Sequence, residues 1–496
     1  MDPATDDPRD AFFDVEHLRY DIGSRTGRSV ANILFFSVLK LFIALGTTAI
    51  LARLVSPEQQ GLIALAVPFV LVAVGLSEFG LAQAITQMPK VTHQLASTLF
   101  WFNVALGTIL TVTVAGIGSF AAIFFSQPKV AFVFWILSPY IFLTVLNTQY
   151  MALLRRRMQI RLLESCVFLA TLIASFCAII VAVAGYGVAA LIVQLLAQQS
   201  LTFFFLVYST GWRPSVPWGI QLSGAKKALA FGGYLAAERL LSDLTRTLQI
   251  SIIGRSLGEA AAALYYRSET FALMPQRRII SPLSAAFIPS LSRLQDDGAA
   301  FRTMLLQQIV RSNAILIPLG AFLCVSPDLV VLVLLGPDWI EAVPILAWLG
   351  VLVLTGVSLS CFSWALVASG HSRELFYFRV CVTALIVAAI ALSYHAGLVP
   401  IVRAYVIVYA ILSLPLLCVF VVKYTVITSA DVAISLGQSS LFAISLLGAG
   451  FAVRWFLDNS LIIEGITAGG AIIVVFGIRL LMDHQLLKDI RSTLRH

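Results

Sequence analysis

Long apolar runs separated by short polar stretches repeat along nearly the whole chain. One α-helix needs roughly 20 mainly apolar residues to cross the hydrocarbon core of a bilayer. Such runs occur near 30–52, 61–85, 96–124, 130–153, 162–184, 187–209, 227–253, 260–290, 301–325, 342–369, 376–395, 399–422, 433–457 and 461–482. The pattern predicts an all-α polytopic membrane protein with about 14 transmembrane helices. Charges interrupt the runs at 227–253 and 260–290, and without them the count is about twelve. Both counts are even, so both ends of the chain are expected on one side of the membrane.

Composition agrees with this reading. Charged residues are 12% of the 496, about half the quarter usual in soluble domains. A chain so apolar cannot cover a water-facing surface with polar groups, which excludes a soluble globular protein. The net charge of +8 matters less than its placement. With the N-terminus in the cytoplasm, inner loops and tails hold about 20 Lys and Arg, and outer loops about 6. The strongest contributions are Arg155, Arg156, Arg157 and Arg161 after the fourth helix, Arg213, Lys226 and Lys227 after the sixth, and Lys488, Arg491 and Arg495 at the end. Both termini are therefore expected to be cytoplasmic.

The polar first 29 residues lack the basic start, apolar core and cleavage site of a signal peptide and read as a retained cytoplasmic tail. Phe12, Val15, Leu18 and Ile22 fall roughly on one helical face, so the tail is either a surface-lying helix or disordered. The stretch TGWRPSVPWGIQLSGAKK, near 210–227, is rich in Pro, Gly and Trp and reads as a linker. The expected organisation is a tail (1–29), a six-helix lobe (30–210), a cytoplasmic linker (211–226), a second six-helix lobe (227–424), and a final helix pair with a cytoplasmic tail (425–496). The halves resemble each other faintly. AILARLVSPEQQGLIALA aligns without gaps on SIIGRSLGEAAAALYYRS, superposing Arg53 on Arg255 and Leu62 on Leu264. That suggests parallel repeats related by a pseudo-two-fold along the membrane normal.

Several chemistries leave no trace. There is no phosphate-binding loop, no HExxH and no Gly-x-Ser-x-Gly elbow, and the histidines are scattered. The six cysteines form no CxxC pair and read as small buried hydrophobes. No catalytic residue, metal site or cofactor is expected, nor a nucleic-acid partner.

The informative residues are ionisable groups inside spanning runs, each of which costs about 2.5–3.5 kcal/mol at a helix centre unless it has a partner, a watery cavity or a function. In GGYLAAERLLSDLTRTLQISIIG, Arg239, Asp243 and Arg246 form one stripe at spacings of four and three, with Glu238 beside it. Two readings stand: an Arg239–Asp243 pair that half-neutralises itself, or a cationic wall on an aqueous interior. Lys40, in FFSVLKLFIALG, lies near the middle of the first run with no carboxylate within one turn, which favours an aqueous cavity over snorkelling. The eighth run carries Arg267, Glu269, Arg277 and Arg278 with Pro275 and Pro282, and Arg311 lies in the ninth; each is an anchor at headgroup level or part of the interior. Glu78 falls near the inner end of the second run. Glu164, near the inner start of the fifth, reads as a surface residue. Basic residues Lys40, Arg239, Arg246, Arg277, Arg278 and Arg311 outnumber the acids Glu238 and Asp243. A cavity so lined favours an anion, and diphosphate suits it because guanidinium forks match its oxygens.

Four stretches in order resemble one family. They are ILARLVSPEQQGLIALAVPF, FGLAQAITQ (Phe79 to Gln87), MALLRRRMQIRLL followed by AGYGVAALIVQ, and IIGRSLGEAAAALYYRSETFALMPQRRIISPLSAAFIPSLSRLQ. Together, over roughly 25–425, they resemble the polysaccharide-exporting flippases of the multidrug, oligosaccharidyl-lipid and polysaccharide exporter superfamily, in the branch serving exopolysaccharides such as succinoglycan and colanic acid. The resemblance implies two six-helix lobes around a central cavity plus a final pair. It implies alternating-access translocation of undecaprenyl-diphosphate-linked oligosaccharide repeat units across the bacterial inner membrane, and not an enzyme. The partners implied are the lipid-linked oligosaccharide, membrane lipids, H⁺ or Na⁺ as a coupling ion, and a polysaccharide polymerase and export machinery downstream. Lys40, Arg239, Arg246, Arg277 and Arg278 become the candidates for the diphosphate, with Arg53, Arg255 and Arg311 as a second set. Glu238 and Asp243 become the candidate coupling acids. The sequence departs from the family where an acid often stands five residues before the glycine of IIGR: here it is Gln249. The alternatives are a drug or metabolite exporter of the same superfamily, whose cationic substrates a basic cavity repels, and a membrane-embedded glycan polymerase or ligase, which would want a larger outer loop.

Overall fold

The computed structural model describes residues 13, 22–77, 91–215, 233–456 and 461–482. The tail residues Phe12, Val15 and Leu18, the acid Glu78, the stretch Phe79 to Gln87, linker residues 216–226, and Lys226, Lys227, Lys488, Arg491 and Arg495 lie outside them. Every described regular element is helical. In chain order the α-helices are α1 (Ile22–Leu54), α2 (Pro57–Ser77), α3 (His93–Phe124), α4 (Pro128–Leu137), α5 (Pro139–Arg156), α6 (Ile160–Val183), α7 (Val188–Thr210), α8 (Gly233–Ser292), α9 (Gly298–Val325), α10 (Pro327–Leu334), α11 (Val343–Ala368), α12 (Ser372–Ser393), α13 (Leu398–Val406), α14 (Ser413–Tyr424), α15 (Ser429–Phe456) and α16 (Leu461–Met482).

Among the described residues, 11 helices are long and apolar enough to cross a membrane, α4 with α5 making one of them and α13 with α14, through the π-helical stretch Ile407–Leu412, another. The 60 residues of α8 would measure about 90 Å as one straight helix, some three times the hydrocarbon core. The helix is broken at Gly258, which has φ 87° and ψ 177°. That left-handed φ suits a residue without Cβ, and it divides α8 into the seventh and eighth expected helices. With these two and the apolar stretch Ile463–Phe476 of α16, the architecture is consistent with the expected fourteen.

The chain forms two compact units, Met1–Ala263 and Leu264–His496. In the first, small residues allow close helix approach, as is usual where lipid supplies no hydrophobic drive between helices. A Cβ on Gly118 would come within 2.8 Å of the Phe134 Cβ, and one on Gly107 within 3.2 Å of Val145. An aromatic cluster of Phe100, Tyr150 and Trp212 closes one end of this unit. Phe13, from the tail, is 3% exposed and meets Trp212 edge-on. The Trp212 indole N–H donates to His93 Nδ1 at 3.2 Å. In the neutral ring, His93 Nε2 therefore carries the proton and donates to Ser215 Oγ at 2.7 Å. Trp101 Nε1 donates to the Ser215 carbonyl at 2.8 Å. The first residues of the linker are thus stitched to the start of α3.

In the second unit, α15 is fastened near both ends. At its start, the Thr428 N–H and hydroxyl donate to Asp431 Oδ2 at 3.0 and 2.8 Å, while the Asp431 N–H donates back to the Thr428 hydroxyl at 3.3 Å. This is a capping box with Asp in place of Glu. Arg302 of α9 adds two hydrogen bonds to Asp431 Oδ1, from Nε at 2.8 Å and from Nη2. At the far end, Arg454 donates to both carboxylate oxygens of Asp328 at 3.0 and 2.5 Å. Asp431 and Arg454 are about 35 Å apart along a helix rising 1.5 Å per residue. Each pair therefore falls at about headgroup depth, where charge is tolerated. Between them, Phe442 and Leu446 pack on Ile317 and Ala321 of α9 and Ile472 of α16.

Asp431→Ala removes the cap and the anchor for Arg302. Asp431 is 2% exposed, but the Arg302 side chain is 48% exposed, so most of the loss is expected from the cap and buried hydrogen bonds, about 2 kcal/mol. A lowered thermal midpoint in detergent is expected, with a smaller drop for Arg302→Ala. An unchanged midpoint in Asp431→Ala would remove this tether from the account.

Candidate functional site

The first unit supplies an intramembrane ion pair. Lys40 of α1 is 8% exposed, and its Nζ lies 2.6 Å from Glu164 Oε2 on α6. The sequence offered Lys40 no acid on its own helix; the partner comes from a helix 124 residues away. Glu164 is correspondingly not a surface residue, its side chain being 16% exposed. The depth follows from the helix bounds. Helix α1 begins at Ile22, and its apolar run extends from near residue 30 to Leu54. Lys40 therefore sits about 21 Å from the Leu54 end and about 15 Å from the start of the run, level with the second turn of α6.

The expected stripe lies on the first half of α8. Arg239 is exposed, whereas Glu238, Asp243 and Arg246 are half-buried. Asp243 faces α2: a Cβ on Gly75 would lie 3.3 Å from its Oδ2, so the glycine leaves room for the carboxylate. The Ser242 hydroxyl donates to the Glu238 carbonyl at 3.0 Å. Further along, Thr245, Thr247, Gln249 and Ser251 are buried. This half of α8 thus turns polar as well as charged groups inward, which hydropathy alone did not reveal.

Arg53 is exposed in the last turn of α1. Arg255 donates from Nη1 to Ser126 Oγ at 3.0 Å, and Gln127 Nε2 donates to Glu259 Oε1 at 3.0 Å. Arg255 and Glu259 therefore bracket the Gly258 break and hold the α3–α4 turn. The residues PEQQG have a matching task. The Gln60 side-chain amide donates to the carbonyls of Leu51 and Val55 at 3.2 and 2.8 Å, satisfying the end of α1. Gly61 lies directly beneath the backbone of Glu259.

In the second unit, Arg277 donates from Nη2 to Glu269 Oε1 at 3.2 Å. The Glu269 side chain is 4% exposed and that of Arg277 is 56% exposed. Tyr405 lies half-buried in the last turn of α13. Its ring is 5.9 Å from that of Tyr409, in the π-helical stretch Ile407–Leu412 that follows α13. Such stretches are frequent at functional positions. Arg278 and Arg311 are exposed. Lys40 and Arg277 thus both pair with acids outside the expected set, Glu164 and Glu269. Glu269 is the acid that sequence reasoning under-weighted; its signal was a carboxylate inside a spanning run about two turns from an arginine. Among the described residues, no group of three or more His, Cys, Asp or Glu could hold a metal. Cys166, Cys361 and Cys418 are buried as expected, but Cys381 is exposed on α12.

Residues 50–344 match the family described as polysaccharide biosynthesis protein. The chain is similar to the lipopolysaccharide biosynthesis protein WzxC of Escherichia coli K12, 24% identical over 72% of this chain and 73% of the relative. It is similar to the teichuronic acid biosynthesis protein TuaB of Bacillus subtilis, 24% identical over 60% of this chain and 62% of the relative. It is also similar to the succinoglycan biosynthesis transport protein ExoT of Rhizobium meliloti, 23% identical over 67% of each. Among solved structures, an inward closed conformation of the lipid II flippase MurJ superposes with a TM-score of 0.69 at 14% identity, covering 91% of this chain and 99% of that one. An inward-facing multidrug resistance MATE family transporter of the MOP superfamily gives 0.60 at 16% identity, covering 80% and 98%. These likenesses show the fold.

Proposed function

Because the chain belongs to the polysaccharide biosynthesis protein family, we propose that it is a flippase moving undecaprenyl-diphosphate-linked oligosaccharide repeat units across a bacterial inner membrane by alternating access. The observation that carries this reading is the set of ionisable side chains held within spanning helices, Lys40, Asp243, Arg246 and Glu269 foremost. A protein that only anchors neighbours in lipid has no use for such groups, whereas a path for a diphosphate and its sugars needs them. The names of similar proteins, a succinoglycan transport protein and a lipid II flippase, support the same substrate class.

In this reading Lys40, Arg239, Arg246, Arg277 and Arg278 meet the diphosphate in turn. Arg53 attracts it from the end of α1, Arg311 from the middle of α9, and Arg255 serves chiefly the α3–α4 turn. Asp243, with room beside Gly75, and Glu238 are the coupling acids for H⁺ or Na⁺. Both termini are cytoplasmic, the protein is not itself an enzyme, and a polymerase with export machinery consumes the product.

The test is passage of a short-chain lipid-diphosphate oligosaccharide between leaflets of reconstituted vesicles, with and without a pH or Na⁺ gradient. Gradient-sensitive passage is expected, reduced about tenfold or more in Arg239→Ala through loss of a charge-assisted contact. Passage no faster than in protein-free vesicles, for several glycans, would overturn the reading in favour of a drug or metabolite exporter.

A further inference from the structure

The first unit contains a cavity of about 630 Å³ that none of the expected substrate residues touches. It runs down the seam between α4 and α7, with Leu62 of α2 at its back. Its walls are Phe132 and Ile136 on α4 and Ile192 and Leu196 on α7, and among the residues lining it Lys129 alone is charged. The size lies in the range of small-molecule sites.

The shape has a direction. Lys129 is in the first turn of α4, and Val188 opens α7. From these first turns the lining continues to Ile136 and Leu196, about 10–12 Å deeper at 1.5 Å per residue. That is most of one leaflet's hydrocarbon, about 15 Å. The charged end therefore lies at one membrane face and the apolar end points towards the bilayer centre. Exposed Tyr186, just before α7, fits headgroup depth.

The polar end is positive in three ways. Lys129 is exposed, and no acid pairs with it among the described residues. The N-termini of α4 and α7 open at the same end, each adding the positive pole of its helix dipole. A ligand fitting both halves carries an anionic head and a hydrocarbon chain. We infer that this groove binds one acyl chain of an anionic bilayer phospholipid, whose phosphate meets Lys129. The site stands apart from the transport reading and does not depend on it.

The experiment is native mass spectrometry of the full chain, delipidated in detergent and titrated with phosphatidylglycerol or phosphatidylcholine of identical acyl chains. One tightly retained phosphatidylglycerol is expected, held about tenfold more tightly than phosphatidylcholine. Lys129→Gln, on an exposed side chain, should reduce the preference several-fold, weakening phosphatidylglycerol far more than phosphatidylcholine. Leu196→Trp, which fills the groove, should release both lipids. Equal retention of the two lipids by the native protein, or a preference undiminished in Lys129→Gln, would overturn the inference. So would displacement of phosphatidylglycerol by a polyprenyl phosphate at about a tenth of its concentration, which would assign the groove to an isoprenoid tail.

Discussion

Lys40→Met is expected to destabilise the protein by about 3 kcal/mol, the lower end of what breaking a buried pair costs, because Glu164 keeps slight exposure. The loss comes from the carboxylate left behind in an apolar seam between α1 and α6 more than from the missing lysine. Removing both charges should therefore reverse most of it: Lys40→Met with Glu164→Leu restores a packed, neutral contact, and such replacements are often neutral or better. Thermal midpoint in detergent checks this first half. The second half concerns transport. If Lys40 lends its charge to a substrate diphosphate, the stable double variant should translocate at less than about a tenth of the native rate, since the charge-assisted contact is gone while the fold is not. A double variant that is stable and translocates normally would make the pair a structural joint and strike Lys40 from the anion-binding set.

The same pair shows where sequence reading stops. Spanning helices were legible because a run of apolar residues reports its own solvent, and the structure places the start and end of most runs within a few residues. The weakest two, at 227–253 and 260–290, are the two halves of α8. There the charges that lowered hydropathy mark Asp243, packed against α2, and the buried Glu269. The gapless alignment that superposed Arg53 on Arg255 also registers Ser56, in the turn after α1, with the break at Gly258. The partners of Lys40 and Asp431 were not legible, because acid and base lie 124 and 129 residues apart and no local periodicity links them. The Thr428–Asp431 box was legible as a helix start and was missed because apolar runs were weighed before caps. Gln60 had no signal at all: a glutamine in a polar turn reads as solvated, whereas here it closes the end of α1.

Gly61→Ala is expected to be among the most damaging single-atom additions in the chain. A Cβ there would lie 2.1 Å from the carbonyl oxygen of Glu259 and 2.5 Å from its carbonyl carbon. Restoring an ordinary separation needs a shift of more than about 1 Å. The obstacle is backbone, fixed by the left-handed Gly258 beside it and by the Gln127 hydrogen bond to the Glu259 side chain, so it cannot rotate away. Leu65, one turn along α2, meets Gly254, a little over one turn back on α8, so both ends of this contact depend on a missing side chain. The expected cost for Gly61→Ala is about 3 kcal/mol, at the upper end for overpacking. Gly254→Ala clashes with the Leu65 Cδ2, also at 2.1 Å, its other neighbours lying at an ordinary 3.5 Å, and that methyl is the far end of a side chain with other rotamers. It should cost about 1 kcal/mol. Gly116→Ala in α3, with nothing within 4 Å, should be neutral or stabilise by up to about 1 kcal/mol through helix propensity. Thermal midpoints of the three variants should fall in that order, with Gly61→Ala lowest. A Gly61→Ala protein as stable as Gly116→Ala would mean that α2 and α8 do not meet through these glycines, and the account of PEQQG as the seat of the Glu259 turn would fall with it.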